Sequence, residues 1–175
     1  MKIRLAIPNI QKDSIVDGEG IRSVIWTQGC PHNCLGCHNP ETHNVKGGEL
    51  VEIKKILKEI DKLEGQDGIT FSGGDPMIQP KQCEEIAKYC QEKGLNVWCY
   101  TGYTYEELLE ISKVTPTILD FLKQIDILVD GKFILSEKSY DVIFRGSKNQ
   151  RIIDVRESLD KQTIVKIKIK EEENL

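Results

Sequence analysis

Three cysteines crowd into eight residues, Cys30-Pro31-His32-Asn33-Cys34-Leu35-Gly36-Cys37, with gaps of three and two residues between the thiols. Any fold this chain adopts must present that segment as a loop with its sulfurs available. Thiolates are the usual ligands of iron–sulfur clusters, and a four-iron cubane takes four ligands. Three close cysteines hold three irons and leave the fourth open to a small chelating ligand. A structural zinc site built from Cys30, Cys34, Cys37 and one of His32 or His38 is the alternative. Zinc knuckles more often show two separated ligand pairs, and no second pair lies downstream. The remaining cysteines are Cys83, Cys90 and Cys99. An even count of six in a secreted chain would read as disulfides. Here Met1 to Pro8 lacks the apolar core of a signal peptide. No stretch approaches the ~20 apolar residues of a membrane helix. A cytoplasmic location is therefore expected, with reduced thiols free for metal or redox chemistry.

The segment follows a predicted strand, Ser23 to Thr27, and alternating elements continue from there. Leu50 to Leu63 reads as a helix, with Ile53, Ile56, Leu57 and Ile60 at helical spacing. Gly68 to Ser72 reads as a strand, Lys81 to Lys93 as a helix stopped by Gly94, and Asn96 to Tyr100 as a strand. Thr104-Tyr105-Glu106-Glu107 has the form of a capping box opening a further helix, which Pro116 ends. Ile125 to Val129 is the last predicted central strand. Val165, Ile167 and Ile169 alternate with lysines, which suits an edge strand, and Glu171 to Leu175 is expected to fray. Strand–helix alternation implies βαβ units and a mainly parallel sheet. The 175 residues fit one domain, 1–175, but fall short of the ~250 of a complete eight-unit barrel. An α/β fold with an open, partial β/α barrel is expected. Four unusual loops then fall on one rim: the cysteine segment, Gly73-Gly74-Asp75-Pro76, Thr101-Gly102-Tyr103 and Asp130-Gly131-Lys132.

Two glycines let a ligand approach the backbone closely, and Asp75 adds a charge-assisted partner, although Gly-Gly-Asp-Pro is also a good turn. Asp130 and Lys132 are either holders of polar ligand groups or a surface turn. Thr101 and Tyr103 either line the rim or cap the next helix. Cys83, Ile86, Ala87 and Cys90 share one helical stripe and Cys99 lies in an apolar strand, so these three cysteines read as core. His32, His38 and His43 lie near the thiols and none is assigned to the metal. Arg145 to Arg151 is a basic, polar run, either a partner loop or a solvated face. The net charge of −4 disfavours nucleic acid as the main partner.

The cysteine segment resembles the signature of the radical S-adenosylmethionine (SAM) superfamily. Six blocks, in order, narrow that resemblance. They are Val16 to Arg22, Gly29 to Thr42, Ser72 to Pro76, Tyr100 to Tyr103, Leu128 to Phe133 and Phe144 to Asp154. Together they look like the anaerobic ribonucleoside-triphosphate reductase-activating family. The last two blocks favour it over the related, longer pyruvate formate-lyase activators. The resemblance implies a 4Fe–4S cluster on Cys30, Cys34 and Cys37, with SAM chelating the open iron. Gly36, Cys37 and His38 would contact SAM through the cluster loop, Gly73, Gly74 and Asp75 would receive its methionine end, and Asp130, Gly131 and Lys132 would complete the pocket. It further implies a radical SAM-type barrel that generates a glycyl radical on the large subunit of the reductase. A flavodoxin or ferredoxin would donate the electron; no nucleic acid or membrane takes part. Two departures stand out: Gly36 replaces a common aromatic residue before the third cysteine, and Gly-Gly-Asp replaces Gly-Gly-Glu. Another radical SAM enzyme, such as a different glycyl-radical activator, and a non-catalytic, metal-stabilised binding module are the competing readings.

Overall fold

The computed structural model describes residues 1–169. Seven strands form one sheet: β1 (Lys2–Ser14), β2 (Arg22–Thr27), β3 (Glu49–Glu52), β4 (Gly68–Gly73), β5 (Asn96–Tyr100), β6 (Ile127–Asp130) and β7 (Arg151–Asp154). The helices are α1 (Ile53–Asp61), α2 (Pro80–Glu92), α3 (Tyr105–Ser112), α4 (Thr117–Leu122) and α5 (Val155–Lys161). Strand order is β3-β1-β2-β4-β5-β6-β7. The β2–β4, β4–β5 and β5–β6 pairings are parallel, while β1–β2, β1–β3 and β6–β7 are antiparallel. The sheet is thus mixed rather than mainly parallel, with a parallel centre flanked by antiparallel strands.

Side chains alternate across that centre, as the two-residue period of a strand requires. Ile69, Phe71, Val97, Cys99 and Leu128 pack with Ile56, Ile86, Leu108 and Phe121 of the helices. Trp98, Val129 and Ile152 form a second cluster, joined by Tyr100, Phe144, Ile167 and Ile169. The expected capping box is complete: Glu107 N donates to Thr104 Oγ1 at 3.2 Å and Thr104 N to Glu107 Oε2 at 2.8 Å. Cys83, Cys90 and Cys99 are buried in the core, as their stripe and strand predict.

The helix expected over Leu50 to Leu63 is shorter. Residues 49–52 instead pair antiparallel with β1, and helix begins only at Ile53. Gly48, at φ +61°, turns the chain into that strand, and Leu50 remains exposed. β1, β7, α4 and α5 have no counterpart in the sequence-based reading. The expected edge strand at 165–169 is reduced to a single bridge, Ile153 to Lys166. Two bonds still lay it beside β7: Asp154 N to Val165 O at 2.9 Å and Ile167 N to Ile152 O at 2.8 Å. The frayed end expected at Glu171 to Leu175 lies outside the described residues.

Because β2, β4, β5 and β6 run parallel, their C-terminal ends share one edge. The chain leaves them at Gln28, Gly74, Thr101 and Gly131. The opposite edge is held by Arg22, which is 1% exposed. Its Nε donates to Thr70 Oγ1 at 2.8 Å, Nη1 to Glu19 O at 3.0 Å, and Nη2 to Ile69 O at 2.9 Å and Asn96 O at 3.0 Å. The guanidinium also lies over the Trp98 ring, 5.4 Å from its centroid. Burial lowers its pKa to about 10, which leaves it charged at neutral pH.

Candidate functional site

The loop after β2 carries the three thiols. Gly29 N donates to Thr42 O at 2.7 Å and Cys30 N to His43 O at 3.2 Å, which closes the base of the segment. A tight turn, Cys37 N to Cys34 O at 3.2 Å, shapes its tip, with Asn33 and Gly36 at positive φ. Cys30, Cys34 and Cys37 are free thiols, each partly exposed. Burial raises the Cys30 pKa, opposed by backbone bonds from the His32 and Asn33 amides.

The loop after β4 is pressed against this segment. Gly74 N donates to Thr27 O and Asp75 N to Gly29 O, both at 2.8 Å. A Cβ at Gly74 would stand 2.1 Å from Gly29 O, and one at Gly73, where φ is +100°, 2.5 Å from Thr27 O. These glycines are therefore required by the approach of two backbones. With both N–H groups spent, the loop's carbonyls are left as the groups to meet a ligand.

Asp75 is 1% exposed and fully engaged. Its carboxylate accepts from Met77 N at 3.0 Å, Thr101 Oγ1 at 3.0 Å, Gly102 N at 2.9 Å and His32 Nε2 at 2.6 Å. Asp130 is similarly buried and accepts from Tyr105 N at 2.7 Å and Arg151 Nε at 2.9 Å. Arg151 also reaches Glu106 at 2.6 Å, and these hydrogen bonds raise its pKa while lowering that of Glu106.

The loops enclose a cavity of about 510 Å³. Cys30, Cys34, Cys37, His38, Gly73, Gly74, Asp75 and Gly131 line it; Gly36, Asp130 and Lys132 do not. Gly36 lies instead against Leu135, and Lys132 contributes its carbonyl to Asn149 Nδ2 at 2.8 Å. The run at 145–151 divides. Arg145, Gly146 and Gln150 line the cavity, whereas Arg151 belongs to β7 and the Asp130 pair. Trp26, Tyr100, Phe133 and Phe144 supply aromatic walls; the last three stand in matching sequence blocks, but nothing in sequence assigns any of the four to the pocket. In sequence His32 stands only as an alternative zinc ligand and Arg22 only within a matching block, since Asp75 and Thr70, which they meet here, lie more than 40 residues away.

The donor set fits an iron–sulfur cluster: three reduced thiols on one loop, opening on a shared cavity, with no disulfide between them. Among the described residues, no three His, Cys, Asp or Glu side chains converge on a point where one ion could sit. Among the described residues, no helix is long and apolar enough to cross a membrane.

The model of a 4Fe–4S single cluster domain matches residues 16–153. The chain is 34% identical over 151 residues to the anaerobic ribonucleoside-triphosphate reductase-activating protein of Escherichia coli (strain K12), covering 81% of this chain and 94% of that protein. Against the protein of that name from Enterobacteria phage T4, identity is 34% over 149 residues, or 78% of this chain and 86% of the relative. Against the pyruvate formate-lyase-activating enzyme of Clostridium pasteurianum it is 37% over 126 residues, but these span 69% of this chain and only 53% of that enzyme.

Proposed function

The chain belongs to the family of anaerobic ribonucleoside-triphosphate reductase-activating proteins, and on that premise we propose that it is a radical SAM enzyme. Its product is a glycyl radical on the large subunit of an anaerobic ribonucleoside-triphosphate reductase. We read the seven-stranded sheet as an open, partial β/α barrel of the radical SAM type, with 1–175 as one domain. Cys30, Cys34 and Cys37 are assigned to a 4Fe–4S cluster, with SAM at the iron that no cysteine ligates. When bound, the reduced cluster would supply the electron that cleaves the sulfonium, and SAM the group that takes hydrogen from a glycine Cα.

The protein's part is placement and shelter. The Gly73-Gly74 carbonyls would be the groups to accept from the ammonium of SAM, since the N–H groups of Gly74 and Asp75 are already bonded. Gly131 gives the β6 side of the pocket a wall without a side chain. Asp130 serves it indirectly, holding the start of α3 through Tyr105 N and the start of β7 through Arg151. Trp26, Tyr100, Phe133 and Phe144 keep water from the reacting atoms. Hydrogen-atom transfer needs no general acid or base, and none is assigned. A glycine carried by another protein needs a lateral entrance, which an open sheet leaves and a docked partner seals. A flavodoxin or ferredoxin is the proposed electron donor.

The observation that carries this reading is the opening of three partly exposed thiols onto the same cavity as the close-packed Gly73-Gly74 loop. Near-complete coverage of the E. coli relative, against about half of the formate-lyase activator, favours the reductase as target. Anaerobic reconstitution with iron and sulfide, followed by dithionite, SAM and the reductase, tests it. A doublet glycyl-radical signal on the reductase is expected, absent with Cys34→Ala. Cleavage of SAM without that signal would turn the reading toward another radical SAM enzyme. A colourless protein indifferent to SAM would leave a metal-stabilised binding module.

A further inference from the structure

His32 lies between the first two cysteines, yet its side chain is 6% exposed and turned away from solvent. Its Nε2 is 2.6 Å from Asp75 Oδ2. A carboxylate only accepts hydrogen bonds, so Nε2 carries the proton and donates it. The ring meets Tyr103 edge-on at 4.5 Å between centroids. It also fills the space beside Gly102, where a Cβ would lie 2.3 Å from His32 Cδ2. The same carboxylate accepts from Thr101 Oγ1 and Gly102 N. One buried anion thus joins the cysteine loop, the loop after β4 and the loop after β5. The carboxylate needs these donors, because an unpaired buried charge is costly.

We infer that His32 is a positioning residue: by donating to Asp75 it fixes the cysteine loop against the two neighbouring loops, and so sets where the thiols stand relative to the ligand pocket. The inference rests on the reading of those thiols as cluster ligands. It also gives the Gly-Gly-Asp sequence a purpose. The short Asp75 carboxylate is engaged by the imidazole, Thr101 and Gly102. Outer partners of this kind orient ligand loops in metal sites, and their loss commonly costs about 10–100-fold in affinity or activity.

The test compares the wild-type full chain with His32→Gln, which keeps a donor at similar reach, and His32→Leu, which keeps bulk without a donor. SAM affinity of the reconstituted proteins and amide hydrogen exchange of the iron-free proteins are both measured. His32→Leu should load iron through its three cysteines and unfold cooperatively, yet bind SAM at least ~10-fold more weakly. In its iron-free form, the Gly102 and Tyr103 amides should lose protection together with Cys37. His32→Gln should recover both properties, with SAM binding within roughly threefold of wild type. Equal SAM binding by all three proteins, or equal loss in both variants, overturns the inference. So does failure of His32→Leu to fold, which would make His32 a core residue. If wild type itself takes up no cluster or binds no SAM, the functional reading fails instead.

Discussion

Cys83, Cys90 and Cys99 sit between helices and sheet, where burial pushes the Cys90 thiol up to about 12 and also raises Cys83 and Cys99. A raised pKa keeps these groups as thiols at pH 8, and the nucleophilic thiolate appears only far above that pH or on unfolding. Iodoacetamide at pH 8 should therefore modify three cysteines of the iron-free native chain and six after denaturation. Native modification of Cys83 or Cys99 would contradict the packing. Glycines divide in a similar way. Gly74→Ala drives a Cβ against Gly29 O, 2.1 Å away, and should cost about 3 kcal/mol in thermal or urea unfolding. Gly94→Ala, at φ +76° with nothing within 4 Å, carries backbone strain alone, about 1 kcal/mol. The thiol triad is legible because its members are neighbours in sequence. His32 and Arg22 are not, because Asp75, Thr70 and Asn96 reach them only through the sheet's parallel crossovers.

At the scale of elements, β2, β4, β5, α2 and α3 are legible because each joins a clear apolar pattern to a stop or cap. β1 hides its period: Ile3 and Leu5 are buried, then the strand exposes Ile7, contains Pro8 and slips register against β2. β3 and β7 have four residues each, and tertiary pairing rather than propensity makes them strands. The α3 cap predicts that Thr104→Ala costs about 1 kcal/mol. A melting point lower by roughly 2–4 °C, with iron loading intact, would bear this out. Arg151 joins β7 to buried Asp130, so Arg151→Met leaves a charge without its counterion and should cost about 3 kcal/mol in urea unfolding. Arg156→Ala removes a pair to Asp126 with a 58% exposed arginine and should cost less than about 1 kcal/mol.

The whole molecule is organised by one edge of its sheet. Parallel strands deliver the cysteine, glycine and aspartate loops to the same side. Arg22 and Trp98 consolidate the interior toward the other side. Parallel strands require that arrangement, which is why the rim of loops is readable from the order of elements alone. The antiparallel flanks are not, since they depend on which distant edge remains to be paired. The proposed function requires three thiols to hold a cluster whose remaining iron is open to SAM. Electron paramagnetic resonance of the anaerobically reconstituted, dithionite-reduced protein, recorded with and without SAM, tests it most directly. A 4Fe–4S signal that shifts on adding SAM, and is lost in Cys30→Ala, Cys34→Ala or Cys37→Ala alike, is the predicted result. A signal insensitive to SAM, or one that survives loss of any of these cysteines unchanged, would contradict it.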